Sequence, residues 1–175
     1  KISEITGYPI LHNHLTRDLA VNFFKQNTDP YTRLVWSIRL HLVKELINDG
    51  QKGLMWTSLT NNTPIIRKYY EELEEIVRNA GGEVYYVQLS CELDEQKRRV
   101  VGEDRKAHKK ITSVEEFEQR MKSVEIFTGT PKERTFEIDT TNLSPEEVAQ
   151  QIVTKFGLDE KNKEVKQEIS EPTQP

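Results

Sequence analysis

Cysteine is almost missing from this chain. Cys91 stands alone, so no intramolecular disulfide can form, and a thiolate zinc site would need its other ligands from elsewhere. That usage fits a reducing, cytoplasmic setting. Long apolar runs are also missing. None approaches the roughly 20 residues that cross a bilayer, and the opening KISEITGYP lacks the basic-then-apolar layout of a signal peptide. A soluble protein with no membrane partner is expected. Nor is there an excess of one charge: 25 basic and 29 acidic side chains leave a net −4, which offers no overall field for nucleic acid or anionic lipid. Any anionic ligand must be held by a local cluster, and a small molecule is the expected partner.

A chain of 175 residues, 35% of them hydrophobic, can bury one full core and is short for two. The expectation is one α/β domain over residues 1–158, with a largely parallel sheet covered by helices on both faces. The opening KISEIT reads as the last turns of a helix, which suggests that further chain precedes Lys1. Pro9 to His12 is a short apolar strand, and Leu15 to Phe24 carries apolar residues at helical spacing through Leu19, Phe23 and Phe24. Asp29-Pro30 opens a long helix that Asp49-Gly50 closes. Its two apolar stripes, one through Val35 and Leu42 and one through Trp36 and Val43, suggest a helix sandwiched in the core.

Gly53 to Thr57 is the next strand candidate, and Thr63-Pro64 caps a helix that stops at Gly81-Gly82. Val84 to Cys91, nearly continuous in β-branched and aromatic residues, reads as a central strand buried on both faces. Ser113 and Glu116 form a candidate capping box, and Arg134 to Asp139 gives another short strand. Ser144-Pro145-Glu146-Glu147 is a strong start for a helix through Phe156, ended by Gly157. Residues 159–175 are Lys, Glu, Gln, Ser and Pro with almost nothing to bury, so a disordered tail is expected. Strands alternating with helices imply βαβ crossovers. Ligands of such sheets bind beyond the carboxyl ends of the strands, which directs attention to residues 12–14, 57–60, 90–94 and 139–142.

The segment from Glu92 to Lys110 holds seven Lys and Arg residues and almost no apolar face after Val101. Arg98, Arg99, Arg105, Lys106, Lys109 and Lys110 put many donors into a short span, as polyphosphate recognition requires. The same charges could equally pair with Glu92, Asp94, Glu95, Glu103 and Asp104 along a solvated helix.

A strand, then L-x-x-x-x-x-R-x-x-x-x-x-R-K-x-x-K-K, then a capped helix, then D-T-T-N-L-S-P-E-E-V-A resembles the carboxyl half of small P-loop kinases of the adenylate kinase and shikimate kinase type. The opening I-T-G-Y-P-I-L-H-N-H-L-T-R-D resembles the segment after the phosphate loop in a group of AAA-type, kinase-like ATPases. The resemblance covers Ile2 to Leu158. It implies a three-layer P-loop NTPase-like fold, a phosphotransferase using ATP and Mg2+, and a basic lid over residues 99–112. Within that lid it implies Arg99 near the adenine or ribose, with Arg105, Lys109 and Lys110 closing on the phosphates; Arg99 and Arg105 would stabilise the transferred charge. Thr140, Thr141 and Asn142 take the place of the adenine-contacting loop, although helix capping and turn chemistry also account for Asn142.

Departures from that pattern are equally plain. No G-x-x-x-x-G-K-[ST] occurs in these 175 residues, so the backbone cradle, its lysine and the magnesium hydroxyl are not encoded here. Either they lie upstream of Lys1, or the chain is a degenerate, non-catalytic nucleotide-binding module. The strand ending at Met55-Trp56-Thr57-Ser58 also has no acidic residue for magnesium. Thr57 or Ser58 could act only through water.

His12-Asn13-His14 falls where the resemblance expects the phosphate acceptor. On a strand, His12 and His14 would share one face and contact one hydroxylated acceptor, either of them serving as base; the alternative is an ordinary bond to a nearby carbonyl. The tripeptide is not the signature of HNH nucleases, whose named residues are spread through a metal-binding fold. Arg17 on the following helix is a further acceptor candidate. So is Arg39, although snorkelling to the surface is its expected fate. The acceptor would be a small hydroxylated or phosphorylated metabolite.

Overall fold

The computed structural model describes residues 1–58, 63–102, 113–123 and 134–158. The tail 159–175 and most of the expected lid lie outside them. The chain divides into two compact units, one built from residues 1–58, 71–84 and 145–158 and the other from 63–70, 85–102, 113–123 and 134–144.

In the first unit, α1 (Ile2–Thr6) ends on Gly7, whose φ of 74° is the left-handed cap that glycine accepts without strain. Strand β1 (Ile10–Leu11) follows, then α2 (Asn13–Ala20) and α3 (Asp29–Asn48), and β2 (Met55–Trp56) returns parallel to β1 with Ile10 opposite Met55. Gly53 leads into β2 because a Cβ there would run into the Tyr8 ring. The end of α4 (Pro64–Asn79) belongs to this unit, as does α7 (Pro145–Phe156), which packs on α1 with Lys1 Nζ 3.1 Å from Glu146 Oε1. Val148, Ala149, Ile152 and Val153 form the buried face of α7 at helical spacing.

In the second unit, β3 (Tyr86–Ser90) and β4 (Thr135–Asp139) pair in parallel over five residues, from Tyr86 opposite Thr135 to Ser90 opposite Asp139. Between them run α5 (Leu93–Val100) and α6 (Val114–Ser123), joined by Lys97 Nζ and Glu118 Oε1 at 2.6 Å. Helix α4 (Pro64–Asn79) begins in this unit, with the Thr63 hydroxyl accepting from Ile66 N–H at 3.4 Å, and ends at Gly81, φ 76°. Tyr70 of α4 meets the Tyr86 ring edge-on at 6.1 Å. At the start of α6, Ser113 Oγ accepts from Glu116 N–H at 3.3 Å but donates to Glu115. The capping box is therefore realised only in its N-cap half.

Several expectations change. The described strands form two parallel pairs, and no ladder joins the pairs among the described residues. Strand β3 is not buried on both faces: Tyr86 is buried, but Leu89 is 46% exposed and Ser90 is open. Helix α3 is not sandwiched. It buries one face through Tyr31, Val35, Trp36, Arg39, Leu40 and Val43, while Arg33, Ser37, His41, Lys44 and Glu45 meet solvent. On α2 the apolar spacing is inverted. The buried residues are Thr16 and Ala20, and Ala20 packs with Tyr31 and Val35 of α3, so Leu15, Leu19 and Phe23 point outward. Small residues let two helices approach closely where leucine would hold them apart.

Candidate functional site

At the carboxyl ends of β3 and β4 the residues flagged from sequence come together. Ser90 ends β3 and Asp139 ends β4, and the chain beyond Asp139 turns through Thr140, Thr141 and Asn142. Thr140 N–H donates to the Ser90 carbonyl at 2.7 Å and its hydroxyl donates to the same oxygen at 2.8 Å. Thr141 donates from its N–H (2.9 Å) and its hydroxyl to Asp139 Oδ1, and its hydroxyl accepts the Glu92 N–H at 2.9 Å. These bonds hold the Asp139 carboxyl below its ordinary range, the Thr141 hydroxyl contributing most and its N–H next.

Arg99, at the far end of α5, reaches this turn. Nη1 donates to the Thr140 hydroxyl at 3.0 Å, and Nη2 donates to the Thr140 carbonyl at 2.6 Å and to the Thr141 carbonyl at 3.4 Å. Nε donates to Glu95 Oε1 at 2.6 Å, and Arg98 grips the same carboxylate through Nε and Nη2, both at 2.6 Å. Hydrogen bonding by Arg98 first, then Arg99, draws the Glu95 carboxyl down to about 2 from its ordinary 4.5. Helical spacing explains the trio: Glu95, Arg98 and Arg99 stand at i, i+3 and i+4, on one side of the helix. Arg99 is thus ion-paired, at the rim of the strands, and 37% of its side chain still faces solvent. Asn142 is exposed. Arg105, Lys109 and Lys110, the other expected phosphate ligands, lie outside the described residues.

The second set of candidates gathers at the carboxyl ends of β1 and β2. The strand stops at Leu11, His12 has an N-cap backbone (φ −69°, ψ 134°), and Asn13 and His14 open α2. His12 and His14 therefore do not alternate on a strand as expected. The Thr57 hydroxyl, just past β2, accepts Asn13 N–H at 3.2 Å, satisfying one of the donors a helix start leaves open. Both histidines are exposed, and His14 Nδ1 lies 3.7 Å from Asp18 Oδ1 one turn on. Arg17 Nε donates to the Tyr31 hydroxyl at 3.0 Å.

Arg39 does not snorkel. It is 3% exposed, with Nε donating to the Thr16 hydroxyl at 2.9 Å and Nη2 to the Asn13 side-chain oxygen at 2.5 Å and the Asn13 carbonyl at 3.2 Å. Its guanidinium lies 5.5 Å from the Trp36 ring centre and 5.3 Å from that of Trp56. Two aromatic faces and fixed oxygens replace the water that snorkelling would have supplied. The sequence reading missed both tryptophans as part of this cluster. A tryptophan at i−3 on the helix was a usable signal, but the partner across β2 was not.

Among the described residues, no three His, Cys, Asp or Glu side chains converge into a metal site. Magnesium bound with a nucleotide draws most of its ligands from phosphate and water, and the end of β2 offers only hydroxyls. Nor is any described helix long and apolar enough to cross a membrane.

No protein-family model matches the chain, and no curated protein matches it. Among solved structures it is similar to a provisionally named kinase from Chloroflexus aurantiacus j-10-fl, with a TM-score of 0.55 and 13% identity over 89% of this chain and 85% of that one. It is also similar to the tunicamycin resistance protein of Deinococcus radiodurans, with a TM-score of 0.49 and 14% identity over 89% of each chain. The chain is a mixed α/β protein of helices and parallel strands whose fold resembles that of a kinase.

Proposed function

We propose that this chain is part of a phosphotransferase of the small P-loop kinase kind, with its strands in a three-layer arrangement. It uses ATP with Mg2+ and transfers phosphate to a small hydroxylated or phosphorylated metabolite. The observation that carries the reading is the Arg99 fork clamped onto the 140–141 turn at the carboxyl ends of β3 and β4. A parallel strand pair presents ligands at that end, and a rigid, cation-backed turn suits the base and ribose of a nucleotide. Phosphoryl transfer asks the protein mainly for positioning and charge stabilisation. The basic stretch of residues 99–112 supplies the charge, through Arg105, Lys109 and Lys110, and His12, Asn13, His14 and Arg17 address the acceptor. Arg39 acts beneath them by holding Asn13.

A second reading is favoured by one observation: these 175 residues contain no phosphate-loop motif. On that reading the chain binds a nucleotide and transfers nothing. Incubation of the full-length protein, with any residues encoded upstream of Lys1, with MgATP and a panel of hydroxylated and phosphorylated metabolites separates the two. Metabolite-dependent ATP consumption, reduced by Arg105→Ala, supports the kinase. Nucleotide binding without consumption leaves the binding module, and no binding at all removes both.

A further inference from the structure

We infer that α2 is the contact face of a two-fold dimer, in which a second copy of this chain covers Leu15, Leu19 and Phe23. The inference stands apart from the phosphotransferase reading and does not depend on it.

Helix α2 is held in an orientation that keeps its leucines out of the core. The Thr16 hydroxyl accepts from the buried Arg39 at 2.9 Å, Asn13 N–H donates to Thr57 at 3.2 Å, and Ala20 packs with Tyr31 and Val35. Turning Leu15 and Leu19 inward would break all three contacts and take the Thr16 oxygen from a buried cation. Their exposure is therefore built in, at 62% for Leu15, 48% for Leu19 and 69% for Phe23. Phe23 stays in line with the leucines because its N–H bonds to the Ala20 carbonyl at 3.1 Å, which carries a helical turn past the end of α2.

Taking about 200 Å² for each whole side chain, these three and the partly open Phe24 leave on the order of 400 Å² of apolar surface in one stripe. A patch of that size usually has a function. A stable interface takes about 800 Å² from each partner, and the exposed rim of His14, Asp18, Asn22, Lys25 and Gln26 is wide enough to supply the rest.

The charges on that rim favour a second copy as the occupant. Asp18, Asn22 and Lys25 follow one another at near-helical spacing along one flank of the stripe, so acid and base balance there. An anionic lipid surface would instead select a basic flank. One antiparallel register suits two identical chains: it sets Leu19 of each against Phe23 of the other and, on the shared flank, Asp18 against Lys25. A two-fold axis makes each of these contacts twice.

The test is sedimentation equilibrium of the full-length protein, with any residues encoded upstream of Lys1, as wild type, Leu19→Glu, Lys25→Asp, and the exchange that combines Asp18→Lys with Lys25→Asp. A wild-type dimer with a dissociation constant on the order of 10 μM is expected for a face at the small end of the stable range. Leu19→Glu should weaken it by about 100-fold or more, because a carboxylate would be buried unpaired at the contact. Leu19 is exposed in the single chain, so the circular dichroism and melting of that variant should match wild type. Lys25→Asp should weaken the dimer about fivefold, and the exchange should restore it. A wild type that stays monomeric to about 200 μM overturns the inference, whether the face is covered by another part of the full-length chain or by lipid. A dimer untouched by Leu19→Glu puts the contact elsewhere and overturns it as well. A Lys25→Asp dimer as tight as wild type, or one that the exchange fails to restore, overturns the antiparallel register.

Discussion

Arg99 holds Thr140 from two sides: Nη2 donates to its carbonyl oxygen at 2.6 Å and Nη1 to its hydroxyl at 3.0 Å. The hydroxyl in turn donates to the Ser90 carbonyl at 2.8 Å, so one oxygen links α5 to the ends of both β3 and β4. Thr140 is 8% exposed, and water cannot readily take its place. Thr140→Val should therefore cost about 1–3 kcal/mol, the range for leaving buried hydrogen-bonding groups unmet. Thr140→Ser, which keeps the hydroxyl, should lose much less. Urea unfolding midpoints decide it, and a valine variant as stable as wild type would show that the link is incidental.

Acid should loosen the same corner. The folded-state Glu95 carboxyl sits at about 2, against an ordinary 4.5, so its pairing with Arg98 and Arg99 stabilises the fold above that ordinary value. This contribution declines as pH falls from about 4.5 toward 2, where the folded form also takes up the proton. Asp139, lowered by Thr141, adds a loss of the same sign. Thermal melts of wild type and Glu95→Gln should therefore converge as pH drops through that window. Parallel curves would mean that the pairing in solution is too weak to shift the carboxyl.

Arg39 offers a third test, because the chain has only two tryptophans and both flank its guanidinium. The rings of Trp36 and Trp56 are themselves 5.3 Å apart. Arg39→Ala removes the donors on which Asn13 and Thr16 rely and opens a cavity beside the two rings. The expected loss is about 3 kcal/mol, with a change in tryptophan emission in the still-folded protein. Arg39→Lys keeps the charge but cannot reach Thr16 and Asn13 as a flat fork, so it should rescue little. Full rescue by lysine would reduce the role of Arg39 to charge alone.

What sequence made legible here was local chemistry. Thr63-Pro64, Ser144-Pro145 and the glycines at 81 and 157 mark helix ends because capping depends on neighbours a few residues away. Arg99 was singled out by the density of basic residues around it, and Thr140 to Asn142 by their place after a strand. Their pairing across 41 positions was not legible, because nothing local says which oxygens a guanidinium will meet. Arg39 shows the same limit. Its burial depends on Trp56, on a strand 17 positions further along, and sequence alone favoured the surface. Helix α2 failed differently: Leu15, Leu19 and Phe23 advertise a core face, but the close approach of α3 selects Thr16 and Ala20 instead.

The break between β1 and α2 changes what is expected of the two histidines. On a strand both would have faced one acceptor, but as N-cap and second residue of a helix they diverge by roughly 200°, at about 100° per residue. Only one can then serve as base to a given hydroxyl. On the proposed kinase reading His14 is the candidate base, with Asp18 Oδ1 3.7 Å from its Nδ1 and able to orient the ring only by closing to hydrogen-bond distance. Once an acceptor is known, His14→Ala should lower turnover by about 100-fold or more, the lower end for general base catalysis, and His12→Ala by far less. Both side chains are exposed, so stability and nucleotide affinity should barely change in either variant. Equal losses of turnover from two well-folded variants would show that the histidines act on the acceptor together, as neighbours on a strand would have done.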